Sequence, residues 1–150
     1  MSRIDFYHLK KQSLDGVLPV LLQKALATGK RIIVKTSTDS VDALNAMLWT
    51  YNDESFLPHG SAKDGFADEQ PVFITADDNN PNTAVFLFLV NGAEADCSQA
   101  EKYERIFNIF DGNNQTALEQ ARTLWKTYKE AGFEVCYWQQ NDRGAWEQKA

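Results

Sequence analysis

The uninterrupted apolar run Ala84-Val85-Phe86-Leu87-Phe88-Leu89-Val90 constrains this 150-residue chain more than any other segment. It is far too short to cross a bilayer, which takes about 20 residues as a helix, so it reads as a buried strand. Ile32-Ile33-Val34, behind Arg31, reads as a strand buried on both faces. Helical patterns lie between such strands. Leu18, Leu21, Leu22 and Ala25 share one face of a helix that starts near Asp15 and stops at Thr28-Gly29. A second helix is expected over 39–50, capped by Ser37 or Thr38, with Val41, Leu44 and Leu48 as its core stripe. Strand, helix, strand, helix predicts an α/β fold: a single three-layer domain spanning 1–150, with a mostly parallel central sheet flanked by helices.

The remaining elements are read in the same way. A first strand over 3–8 alternates Ile4, Phe6 and His8 against Asp5 and Tyr7. A long connection, 51–70, holds Pro58, His59, Gly60 and Gly65, and connections of that length tend to be functional or mobile. Strands follow at 71–75 and 83–90, then a short helix or turn near 99–103 and a strand at 105–110. Asp111-Gly112-Asn113-Asn114 turns the chain into a long helix that ends at Ala131-Gly132-Phe133, and the last strand runs over 133–139. The tail 141–150 is polar and expected to fray.

An α/β sheet invites a search for nucleotide chemistry, and none is found. The single Gly-Lys pair, Gly29-Lys30, is followed by Arg31 and stands between a helix and a strand, the reverse of a phosphate loop. No Gly-x-Gly-x-x-Gly occurs, and no Gly-x-Ser-x-Gly. His8 and His59 lack a Ser or Cys nucleophile at a motif spacing. Asp68-Glu69 and Asp77-Asp78 sit in turn-like sequence without the alternation of a calcium loop. Cys97 and Cys136 are far apart, each without a second ligand at metal spacing, which fits a reduced protein without structural zinc. Neither metal nor cofactor is therefore expected. Met1 to Tyr7 enters a strand-like pattern with no charged region followed by an apolar run, so a cytoplasmic location is expected. A formal net charge of −6 argues against unaided binding to nucleic acid, although a local basic patch can still recruit an acidic segment.

One such patch is visible on the long helix. At about 100° per residue, Ala117, Ala121, Leu124 and Tyr128 form a core stripe. Leu118, Arg122, Trp125 and Lys129 fall on the adjacent flank, with Lys126 just beyond. Arg122 lies one turn from an indole at the border of the core, the grouping that receives a carboxylate beside an apolar side chain. The plainer reading is a Trp that widens the core stripe beneath ordinary solvated charges. A second aromatic, Trp49, projects roughly 120° from the core stripe of helix 39–50, and Phe56 and Leu57 follow it in the long connection. Together they are candidate interface anchors, unless the connection folds back over Trp49.

The ordered set Phe6-Tyr7, Gly29-Lys30-Arg31, Leu48-Trp49, Glu54-Ser55-Phe56-Leu57-Pro58-His59, Arg122, Trp125, Lys126, Tyr128 and Ala131-Gly132-Phe133 resembles the chi subunit of bacterial DNA polymerase III over nearly the whole chain. The resemblance implies a fold similar to nucleotide-binding domains but lacking a phosphate loop, with no catalytic activity of its own. It implies an adaptor with two surfaces. Trp49, Phe56 and Leu57 would hold the psi subunit or an equivalent clamp-loader component. Arg122, Trp125 and Phe110, with Lys126, Lys129 and Leu118 nearby, would bind the acidic C-terminal tail of single-stranded DNA-binding protein. Two departures accompany it: the turn 111–114 is one residue longer than the family pattern, and Leu118 stands where a Lys is expected. The competing readings are a degenerate α/β protein that binds a nucleotide or small ligand at the sheet's C-terminal edge, and a scaffold without the tail site.

Overall fold

The computed structural model describes residues 2–10, 12–50 and 59–150. Along the chain run β1 (Arg3–Leu9), α1 (Leu14–Leu26), β2 (Ile32–Lys35), α2 (Val41–Thr50), β3 (Gly60–Ser61) and β4 (Val72–Thr75). They are followed by β5 (Phe86–Leu89), α3 (Cys97–Ala100), β6 (Arg105–Asp111), α4 (Gln115–Glu130), β7 (Glu134–Gln140) and β8 (Trp146–Gln148). The strands form one sheet in the order β3-β4-β2-β5-β6-β1-β7-β8, parallel throughout except for the β7–β8 pair. Each face of the sheet carries its own apolar layer. Val17, Leu18 and Leu22 of α1 and Leu44 and Leu48 of α2 cover Val34, Phe88 and Phe107 on one face. Ala100 of α3 and Ala121 and Tyr128 of α4 cover Phe6, Ile33, Leu87 and Ile106 on the other. This is the three-layer α/β fold expected from the unalternated runs.

The central strand β1 differs from its expected pattern. Its alternation does sort side chains between faces, but both faces are covered, so Asp5 and Tyr7 are buried as fully as Ile4 and Phe6. Asp5 survives there because Arg3 and Arg105 both donate to its carboxylate at 2.9–3.2 Å and Trp138 Nε1 donates at 3.0 Å. A buried charge without such partners would cost several kcal/mol.

Helix ends follow local chemistry. Thr28 and Gly29 (φ 83°) terminate α1, as read from the sequence. At α4, Asn114 Oδ1 accepts from the Ala117 amide at 3.0 Å, and the other end closes with Phe133 N–H on Tyr128 O and Gly132 N–H on Lys129 O, both 3.1 Å. Gly132 takes φ 91°, the left-handed turn that this closure requires. It lays the Phe133 ring perpendicular to Tyr128, centroids 5.9 Å apart.

Three expectations are corrected. The tail does not fray: Asn141 Oδ1 accepts from the amides of Arg143 and Ala145, and the Asn141 amide donates to Ala145 O. This turn folds β8 back on β7, where Trp146 meets Tyr7 edge-on at 5.0 Å. Ser37 does not cap α2. Its hydroxyl donates to Ser40 Oγ, and a single 3-10 turn over Thr38–Ser40 leads into the helix instead. The connection after α2 contains a strand as well, because Gly60–Ser61 pairs with Phe73 and Ile74 at the sheet edge. Among the described residues no helix is long and apolar enough to cross a membrane.

Candidate peptide-docking site on the last helix

The chain passes from β6 to α4 over the end of β1, and this crossing builds the site. Phe6 and His8 of β1 point to the face covered by α4, beside Phe110 of β6 and Tyr137 of β7. Trp125 packs on this floor from α4: its ring lies 5.7 Å from Phe6 and 5.9 Å, nearly perpendicular, from Tyr137. Tyr137 in turn lies 6.2 Å from Phe110. The tyrosine ring thus bridges Trp125 and Phe110, which do not themselves form a ring pair. Such aromatic contacts are each worth about 0.5–1.5 kcal/mol beyond area burial.

Nε2 of His8 lies against the turn that enters α4. A Cβ on Gly112 would fall 1.8 Å from that atom, so only glycine fits. His8 Nδ1 is hydrogen-bonded to the Tyr137 hydroxyl. Burial, then the charge of Lys10, hold His8 below the ordinary histidine range; Arg122 pushes the same way and Asp111 opposes. At neutral pH His8 is therefore an uncharged part of the floor. Burial raises Tyr137, against the opposing pull of its Gln139 hydrogen bond and of Arg122.

Above the floor stands the basic flank. Arg122, Lys126 and Lys129 are exposed, and none forms an ion pair with a described residue. Lys129 Nζ lies 5.6 Å from the Trp125 ring centroid, within cation–π range. Trp125 itself is half-buried, as the projection predicted. Leu118, the departure from a basic residue, is also half-buried and packs into the apolar layer. Helical periodicity found Arg122, Trp125, Lys126 and Lys129. It missed His8, Tyr137 and Phe6, which come from two distant strands and join the site only through the strand order.

Trp49, at the end of α2, remains 49% exposed. Its ring lies 4.3 Å from that of His59, which is buried, with Nε2 at 3.1 Å from Asn45 O. Phe56 and Leu57 lie outside the described residues. Phe66, not singled out from the sequence, is 72% exposed and held at φ 53°. Among the described residues no three His, Cys, Asp or Glu side chains are grouped so that they could hold a metal ion.

The comparisons with known proteins bear on the family of the whole chain. A family profile described as DNA polymerase III chi subunit, HolC, matches residues 1–136. The chain is 30% identical over 109 residues to a protein of Rickettsia prowazekii (strain Madrid E) named "Probable DNA polymerase III subunit chi". That match covers 71% of this chain and 66% of the relative, just under two thirds of its length. With a family match across nearly all of its sheet and helices, this chain belongs to the DNA polymerase III chi subunit family, accessory subunits of the replicative polymerase.

Proposed function

We propose that this protein is a non-catalytic adaptor that ties the clamp-loader complex to single-stranded DNA-binding protein by holding that protein's acidic C-terminal tail. The observation that carries the reading is the flank of α4, where three cations, unpaired among the described residues, surround a half-buried Trp125. A tail of carboxylates ending in an aromatic residue needs both a charge-assisted donor and an apolar seat. Arg122 is the donor, Trp125 with Tyr137 and Phe110 is the seat, and Lys126 and Lys129 add long-range attraction. Leu118 contributes apolar edge in place of a charge. Trp49, on the helix that covers the opposite face of the sheet, anchors the psi subunit or an equivalent clamp-loader component, with Phe56 and Leu57 as the further anchors read from the sequence. The adaptor works in the cytoplasm.

The test is calorimetric titration of a short acidic peptide ending in Pro-Phe, at low and moderate salt, into the parent protein and Arg122→Ala. Salt-sensitive binding that weakens by about 1.5–3 kcal/mol in the variant is expected, the range for a hydrogen bond to a charged group. Equal affinity in both proteins would put the tail on another face.

A further inference from the structure

A second site lies across α4 from the first. After β1 the chain turns into α1 on one face of the sheet, and after the adjacent strand β6 it turns into α4 on the other. Between two neighbouring strands whose helices leave on opposite faces, the carboxyl ends part and open a crevice, where open α/β sheets hold their ligands. Here that crevice is a cavity of about 490 Å³, within the size range of small-molecule sites.

Its floor includes a polar side chain that no described residue answers. Asn108 sits in the middle of β6, paired with Leu89 of β5, and is only 6% exposed. It occupies the same face as Ile106 and Phe110, in an otherwise apolar layer, and lines the cavity. Its carboxamide forms no hydrogen bond with any described residue. Its carboxamide atoms open onto the cavity and are not sealed from solvent, so the polar edge of a ligand can take the place of water there.

Besides Asp111 and Thr116, the other polar side chains around the cavity are carboxamides, each with one atom spent on the fold. Gln120 donates to Gly92 O and Glu94, Asn91 donates to Thr36, Asn114 accepts from Ala117 N–H, and Gln12 accepts from Gln140. Unspent are two acceptors, on Asn91 and Gln120, and two donors, on Asn114 and Gln12. Leu89, Phe110 and Leu124 supply apolar wall. No Lys or Arg lines the cavity, Asp111 stands among the lining residues, and the chain has no phosphate loop. Phosphate is therefore disfavoured, whereas a planar heterocycle carrying both donor and acceptor edges is matched.

We propose that this crevice binds an uncharged nucleoside, its base edge on Asn108 and its base face against the apolar wall. Adenosine, guanosine, cytidine and uridine, with ATP as the charged comparison, are titrated against the 15N-labelled parent protein and Asn108→Leu, each first shown to unfold cooperatively. At least one nucleoside should shift the amides of 89–93 and 108–117 saturably, ATP should bind more weakly, and Asn108→Leu should lose roughly tenfold or more in affinity. If Asn108→Leu does not fold, Gln120→Ala, on the solvent edge of the same cavity, carries the test with a smaller loss. The proposal is overturned by no saturable shift with any nucleoside at millimolar concentration, by tighter binding of ATP, or by equal affinity in the variant. None of these readouts depends on the tail site, so the two readings stand or fall separately.

Discussion

Two clusters of cations lie on opposite faces of β1 and have opposite fates. On one face the Arg3 and Arg105 guanidinium groups both donate to the Asp5 carboxylate, and Arg105 also lies 4.5 Å from the Phe107 ring centroid. On the other, Arg122, Lys126 and Lys129 stand over an aromatic floor and meet no carboxylate among the described residues. Both combine positive charge with aromatic rings, so residue type does not tell them apart. What separates them is whether the fold supplies the anion. A cation–aromatic cluster that has its anion is architecture, and one that lacks it is an opening for a partner.

Replacing Asp5 should give the largest effect. Asp5→Ala leaves two guanidinium groups and the Trp138 N–H unanswered, and stability should fall by about 3 kcal/mol in urea denaturation. The low end of the usual range is expected because both arginine side chains are about one third exposed and rehydrate. A loss below about 1 kcal/mol would erase the contrast between the clusters. Gly112→Ala comes next: the added methyl collides with His8, costing about 1–3 kcal/mol, and because it tilts the floor it should weaken tail-peptide binding too.

The basic flank should behave in the opposite way, with stability unmoved and binding impaired. Arg122→Ala should stay within about 0.5 kcal/mol of the parent in denaturation while losing the peptide affinity stated above. Lys129→Gln should cost only about 0.5–1 kcal/mol of binding, the value of an exposed cation–π contact. If Arg122→Ala instead unfolded the protein, the flank would be architecture after all. The smallest effect concerns pH. Folded His8 resists the proton that an unfolded histidine accepts near pH 6.5, so the unfolded chain binds more protons there. Stability should therefore decline as pH falls from about 6.5 toward the lowered value of folded His8, and His8→Gln should flatten that part of a denaturation series.

How far the chain could be read from sequence depended on distance along it. The parallel sheet was legible because Ile32–Val34 and Phe86–Leu89 are apolar without alternation, a local signal. The flank of α4 was legible because helical geometry fixes which side chains share a face. The floor beneath was not, since His8 and Tyr137 meet only after β1 enters between β6 and β7. Asp5 read only as one member of an alternating strand, because its two arginines pair with it across the sheet and within a strand, a relation that periodicity does not encode. The last strand was hidden by its composition: in a polar tail, Trp146 is the main apolar anchor, and Asn141 closes the hairpin with a side chain. Trp49 was found by projection, and its exposure agrees.

The position of β1 also sets an order of events. Arg3 pairs with Arg105 on one side and Glu134 on the other, so β1 finds both of its neighbours only in strands made much later along the chain. A nascent chain can assemble β2, β4 and β5 from nearby sequence, but it cannot close the sheet, bury Asp5 or raise the docking floor until β6 and β7 have been made. Such non-local pairing slows folding and leaves β1 with two open edges meanwhile. A consequence is that no fragment ending before β7 can display the Trp125 site, which makes peptide capture a readout of a sheet folded through β7.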